Sequence, residues 1–197
     1  MNASELLAEI TRAFRDELHP GELNIVYDNF SPNPEVIQIR ESFKAHSWQT
    51  IPDDILQFEQ SGYMFLSSQG LHYYLPAYLH YCVREYTEAD SISDGLVFSM
   101  TLPTEVDIVQ SVIHLKTSPF RAHSSPEALK KEYDFYQKRL HNLNDTVHRF
   151  INRWHVFSPV QCRVILHFLE FLRDEHGQDY PVDEPAVAIE RYWFQFA

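Results

Sequence analysis

Ser158-Pro159-Val160-Gln161-Cys162-Arg163-Val164-Ile165-Leu166-His167-Phe168-Leu169-Glu170-Phe171-Leu172 decides the fold class. Ser158 and Gln161 stand at capping-box spacing, and Pro159 occupies the first helical position, where a backbone N–H is not needed. Val160, Val164, Ile165, Phe168, Leu169 and Leu172 then recur at steps of three and four. The spacing predicts an amphipathic helix running up to Gly177.

The same grammar repeats outward from that segment. Towards the N-terminus, Ser4 is placed to cap a helix carrying Leu6, Leu7, Ile10, Phe14 and Leu18, stopped by His19-Pro20-Gly21. Ser31-Pro32-Asn33-Pro34 opens a second helix through about Ala45, with Val36, Ile37, Ile39 and Phe43 apolar, and Pro52 begins a short one reaching Gln60. From Ser67-Ser68, the positions Leu71, Tyr74, Leu75, Tyr78, Leu79, Cys82 and Tyr86 keep helical spacing, with Pro76 expected to bend or restart the helix. Glu88 to Asp94 is acidic and polar and reads as a loop; Leu96 to Leu102 reads as a possible short strand. Thr104 opens another helix that stops before Pro119.

Ser125-Pro126 starts the longest periodic segment, in which Leu129, Tyr133, Tyr136, Leu140, Leu143, Val147, Phe150 and Trp154 form a heptad seam. Asn142, Asn144, Asp145 and Thr146 are poor helix formers that can break it in the middle. Asp183 and Pro185 open a terminal helix. With no internal repeat or low-complexity linker, the pattern predicts an all-α fold, or a mainly α one with at most a short strand near 96–102: a single-domain irregular helical bundle over residues 1–197.

Composition bounds the function. Sixteen Lys and Arg stand against 28 Asp and Glu, and a formal charge of −12 repels nucleic acid phosphates while favouring encounter with a cationic partner. No run of about 18 apolar residues occurs, so no membrane span is expected. Glu5 and Glu9 interrupt the N-terminal stretch where an export signal needs a basic and then an apolar region. Cys82 and Cys162 fall inside helical patterns and read as reduced core thiols, although a disulfide between them stays open. The expected setting is therefore cytoplasmic. Five isolated glycines build no dinucleotide or phosphate loop, and no cofactor is expected.

Phe65-Leu66-Ser67, Gly70 and Tyr73-Tyr74-Leu75-Pro76-Ala77-Tyr78-Leu79 resemble a family of small uncharacterised bacterial proteins, a domain of unknown function. The closing Ile189-Glu190-Arg191-Tyr192-Trp193 looks like that family's ending. The resemblance implies a bacterial cytosolic setting and brings no catalytic residues.

Residues able to carry chemistry are few. His141, His148 and His155 recur every seven residues, about 10.5 Å of helical rise, too far for neighbours in that series to share one ion. His141, Asp145 and His148 lie closer but lack a fourth ligand, and His167, Glu170 and Asp174 read as a polar helix face, so no metal site is assigned. Around Pro76, tyrosines cluster. Tyr74, Tyr78 and Tyr86 fall on the apolar stripe; His72, Tyr73, His80 and Tyr81 fall on other faces, where aromatic area with polar tips suits a binding surface. The expectation is a non-enzymatic intracellular protein-binding module, such as an immunity or inhibitor protein for a basic partner, as a monomer or homodimer. The alternative is a metal-dependent hydrolase with His and carboxylate ligands drawn from several helices.

Overall fold

Helix α1 (Ala3–Phe14) is capped by Asn2, whose side-chain oxygen accepts from the Glu5 N–H at 2.9 Å while Glu5 accepts from the Asn2 N–H at 3.1 Å. That reciprocal pair places the cap at Asn2, two residues before Ser4, the expected cap, and Leu18 lies beyond the helix end with 87% exposure. Helix α2 (Pro34–Phe43) is capped by Asn33 and buries Val36, Ile39 and Phe43. Helix α3 (Asp53–Phe58) is short. Next in the chain are α4 (Ser68–Arg84) and α5 (Tyr86–Met100), then α6 (Glu105–Thr117), α7 (Pro126–His141) and α8 (Leu143–Trp154). The chain closes with α9 (Pro159–His176) and α10 (Glu184–Arg191).

The computed structural model describes residues 1–118 and 125–197; Pro119, the expected stop for α6, lies outside them. Among the described residues the fold is all-α, with no strand and one isolated antiparallel bridge, Val26 to Leu66. Two compact units divide the chain: Met1–Thr101 with Val156–Ala197, and Leu102–His155.

In the larger unit α4 is the central element. α1 packs on α4 and on α9, α5 packs on α4, and α10 packs on α9 and α5. Ser67 caps α4 by accepting from the Gly70 N–H at 2.9 Å, and the helix runs unbroken across Pro76. Because neighbours surround it, α4 buries twelve of its 17 residues rather than one stripe. Tyr86 no longer belongs to it: the backbone turns at Glu85 (φ −126°, ψ 49°) and α5 begins.

The segment expected to be a loop followed by a short strand near 96–102 is this second helix. Ala89, Ile92, Ser93, Leu96, Val97 and Met100 are buried at helical spacing, whereas Glu88 and Asp94 stay exposed. Spacing, not polarity, decides the element. Two indoles cap helix ends, since Trp48 Nε1 donates to the Phe14 carbonyl at 3.2 Å and Trp193 Nε1 to the Met100 carbonyl at 2.8 Å. α9 keeps its expected capping box, with Val160 exposed in the first turn rather than buried. Cys82 and Cys162 are free, buried thiols, and burial pushes them up to about 12 and about 11.

In the smaller unit, α7 packs on both α6 and α8. The heptad seam does break: α7 ends at His141, Asn142 takes φ −94° and ψ 13°, and α8 restarts at Leu143. α7 buries no residue, while α8 buries Phe150 and Trp154, whose rings lie 6.3 Å apart.

Candidate binding site

α4 carries all four expected binding residues, and the structure separates them into three surroundings. His72 is half-buried, with Nδ1 3.3 Å from Glu17 Oε2 and Nε2 3.0 Å from Gln161 Oε1. Gln161 Nε2 donates to Glu17 Oε1 at 2.7 Å and to the Ala13 carbonyl at 3.3 Å, while its oxygen accepts from the Ser158 N–H at 2.9 Å. Those partners fix the amide's orientation. The carboxylate and the amide oxygen thus both present acceptors to the imidazole, which donates to both only when doubly protonated. The closed ring Glu17, His72 and Gln161 ties the segment just after α1, the second turn of α4 and the start of α9.

Tyr73 was expected on an outer face and is buried instead, at 5% exposure, because His19 and Tyr74 cover it edge-on at 5.1 and 4.8 Å. His19 Nδ1 accepts from the Gly21 N–H at 3.0 Å, so its Nε2 carries the proton and donates to the Tyr74 oxygen at 2.8 Å. Tyr74 in turn donates to the carbonyl of Phe43 at 2.9 Å or of His46 at 3.1 Å. Tyr78 donates to the Glu59 carbonyl at 2.9 Å. These hydroxyls hold the core together.

Tyr81 is likewise buried, at 1% exposure, and accepts from Gln57 Nε2 at 2.6 Å. Above its ring, 5.9 Å from the centroid, lies Arg84, whose Nη2 is 2.5 Å from both Asp53 oxygens and whose Nε donates to Glu85 at 3.1 Å. His80 stands beside this ion pair. Burial, and then the Arg84 charge, lower its pKa below the ordinary imidazole value, and no hydrogen bond to its ring is found among the described residues. His80, Trp48, Ile51, Thr11, Asp53 and Arg84 are among the residues lining a pocket of about 190 Å³. Pockets that enclose drug-sized ligands run from about 300 Å³ upward, so this one fits a single side chain or a few waters rather than a cofactor.

Among the described residues no group of three or more His, Cys, Asp and Glu could hold a metal ion. His141 and His148 fall on different helices, His167 Nδ1 is 2.7 Å from Glu9 Oε2, and Asp174 is paired with Arg173 at 2.7 Å. No helix among the described residues is long and apolar enough to cross a membrane.

A surface that sequence reading passed over lies at the foot of α4. The Tyr27 N–H donates to the Phe65 carbonyl at 3.0 Å beside the Val26 to Leu66 bridge, and the two rings stack 6.3 Å apart. Tyr27, Met64 and, three residues on from Tyr27, Phe30 are exposed, the last at 91%. Glu22 and Asp28 flank them in sequence. Loop aromatics show no periodicity, so only their exposure reveals them.

Charge is divided unevenly. Residues 102–155 hold eight Lys and Arg against six Asp and Glu, and the larger unit holds eight against 22, giving formal charges of +2 and −14.

The chain belongs to the family of unknown function DUF6714, which matches residues 2–118. The matched range contains the Phe65 to Leu79 stretch and ends before Ile189 to Trp193. No curated protein and no solved structure matches.

Proposed function

We propose that this DUF6714 chain is a protein-binding module of the cytoplasm whose acidic larger unit meets a basic protein partner, in the manner of an immunity or inhibitor protein. The observation that carries the reading is the charge of −14 on the larger unit, around exposed Tyr27, Phe30 and Met64. Carboxylates in that excess steer a cationic surface to the encounter, and exposed aromatics supply the area that, once desolvated, sets the off-rate. The same field disfavours nucleic acid.

The test is capture on the immobilised full chain from a lysate of its native cell, at about 50 and about 500 mM salt. One basic protein, captured near stoichiometrically at low salt and released at high salt, is expected. A Tyr27→Ala, Phe30→Ala variant should lose it. Absence of any protein partner at low salt, or equal retention by the variant, would overturn the reading.

A further inference from the structure

α6 has apolar residues on two opposite sides. It packs on α7, and Ile108, Val112 and Leu115 are buried or half-buried on one side. Val106, Val109 and Ile113 recur at steps of three and four on the other, and they are 50, 49 and 54% exposed. A helix of a soluble protein that is apolar on both sides is ordinarily covered on both. Its charges are polarised along its length, with Glu105 and Asp107 in the first turn and His114 and Lys116 in the last.

We propose that the outer face of α6 is the contact between two copies of this chain, which pair α6 antiparallel across a twofold axis. In that arrangement Val106 faces Ile113 of the second copy and the two Val109 side chains meet near the axis. Glu105 approaches Lys116 of the second copy, a contact that occurs twice, as an isologous interface requires. A parallel pairing sets acid against acid and opposes like ends of the helix dipoles.

The long-range field selects the same surface. Two copies of charge −12 repel, and the repulsion is concentrated in the larger units at −14 each, while the unit that contains α6 carries +2. Contact between the units that contain α6 sets +2 against +2 rather than −14 against −14. Thirteen residues give a helix of about 20 Å, and one helix pair of that length buries less than the roughly 800 Å² per partner of a standard interface. The dimer is therefore weak, dissociating in the micromolar range or above.

Sedimentation of the full chain from about 5 to about 500 µM at low salt tests the proposal. A concentration-dependent monomer–dimer equilibrium is expected. Ile113→Glu and Val109→Lys, both at exposed positions, should each leave a folded monomer by circular dichroism. Glu105→Lys and Lys116→Glu should each weaken association about tenfold, and the two together should restore it, because the swapped charges still face each other only in the antiparallel pair. A strict monomer at the highest concentration overturns the proposal. So does a dimer indifferent to both Ile113→Glu and Val109→Lys, or a double charge swap no tighter than either single change.

Discussion

At Gly70 a side chain is excluded by backbone. A Cβ built there would lie 2.0 Å from the Ile25 carbonyl oxygen and 2.8 Å from its carbon. That carbonyl cannot retreat freely, since it accepts from the Ser67 N–H at 2.9 Å and so anchors the residue that caps α4. Gly70→Ala should therefore destabilise the fold by about 2–4 kcal/mol. Gly177→Ala serves as the contrast: its backbone is already helical at φ −55° and nothing lies within 4 Å of the added carbon. There the loss of unfolded-chain freedom should make the change neutral or stabilising by up to about 1 kcal/mol. Urea midpoints of the two variants decide the matter; equal midpoints would contradict the close approach. The thiols make a second prediction at this scale. With Cys82 and Cys162 buried and raised to about 12 and about 11, a disulfide-exchange reagent at pH 8 should label neither in the folded protein and both after unfolding.

Among the elements, α5 shows what could and could not be read in advance. Ala89, Ile92, Leu96 and Met100 keep helical steps of three and four, yet Glu88, Ser91, Ser93, Asp94 and Gly95 lie between them and imitate a loop. Tertiary cover from α4 and α10 overrides those weak local preferences. In contrast α9 and α6 were legible because cap, first-turn proline or acid, and apolar spacing agreed. The binding residues assigned to α4 rested on its having one buried stripe. That premise fails for Tyr73 and Tyr81, because helices on several sides bury both, and a single helix's periodicity cannot announce how many neighbours it will have. The end of α5 yields a test of its own: Trp193→Phe removes the donor to the Met100 carbonyl and should cost about 1–3 kcal/mol. Facing the start of α5, His176 stacks on Tyr86 at 3.5 Å, and burial holds its pKa below 6.5, with Asp179 and Glu175 opposing. A depressed imidazole favours the fold fully above the unfolded value and loses that contribution as pH falls through the folded one. Between pH 7.5 and pH 5.5, wild type should thus lose urea stability relative to His176→Phe.

Over the whole molecule, the charge distribution sets how the fold responds to its solvent. Twenty-two carboxylates stand against eight cations in the larger unit, too few to match them, and the close pairs among the described residues include Asp53 with Arg84, Glu41 with Lys44 at 2.5 Å, and Asp174 with Arg173. Those pairs are partly exposed, so each contributes little. Unpaired carboxylates repel across the surface instead, and salt screens that repulsion over a Debye length of about 30 Å at 0.01 M but about 8 Å at 0.15 M. Screening acts more on many distant like charges than on a few contacts at hydrogen-bond distance. Raising sodium chloride from about 20 to about 500 mM should therefore raise the melting temperature at pH 7.5, most steeply below about 150 mM, where the Debye length changes most. A melting temperature that falls over the same range would mean that the close pairs outweigh the excess charge. The proposed basic partner would show the mirror image. Bound at low salt, it neutralises the same carboxylates, so the complex should melt above the free chain, and that increment should shrink as salt rises.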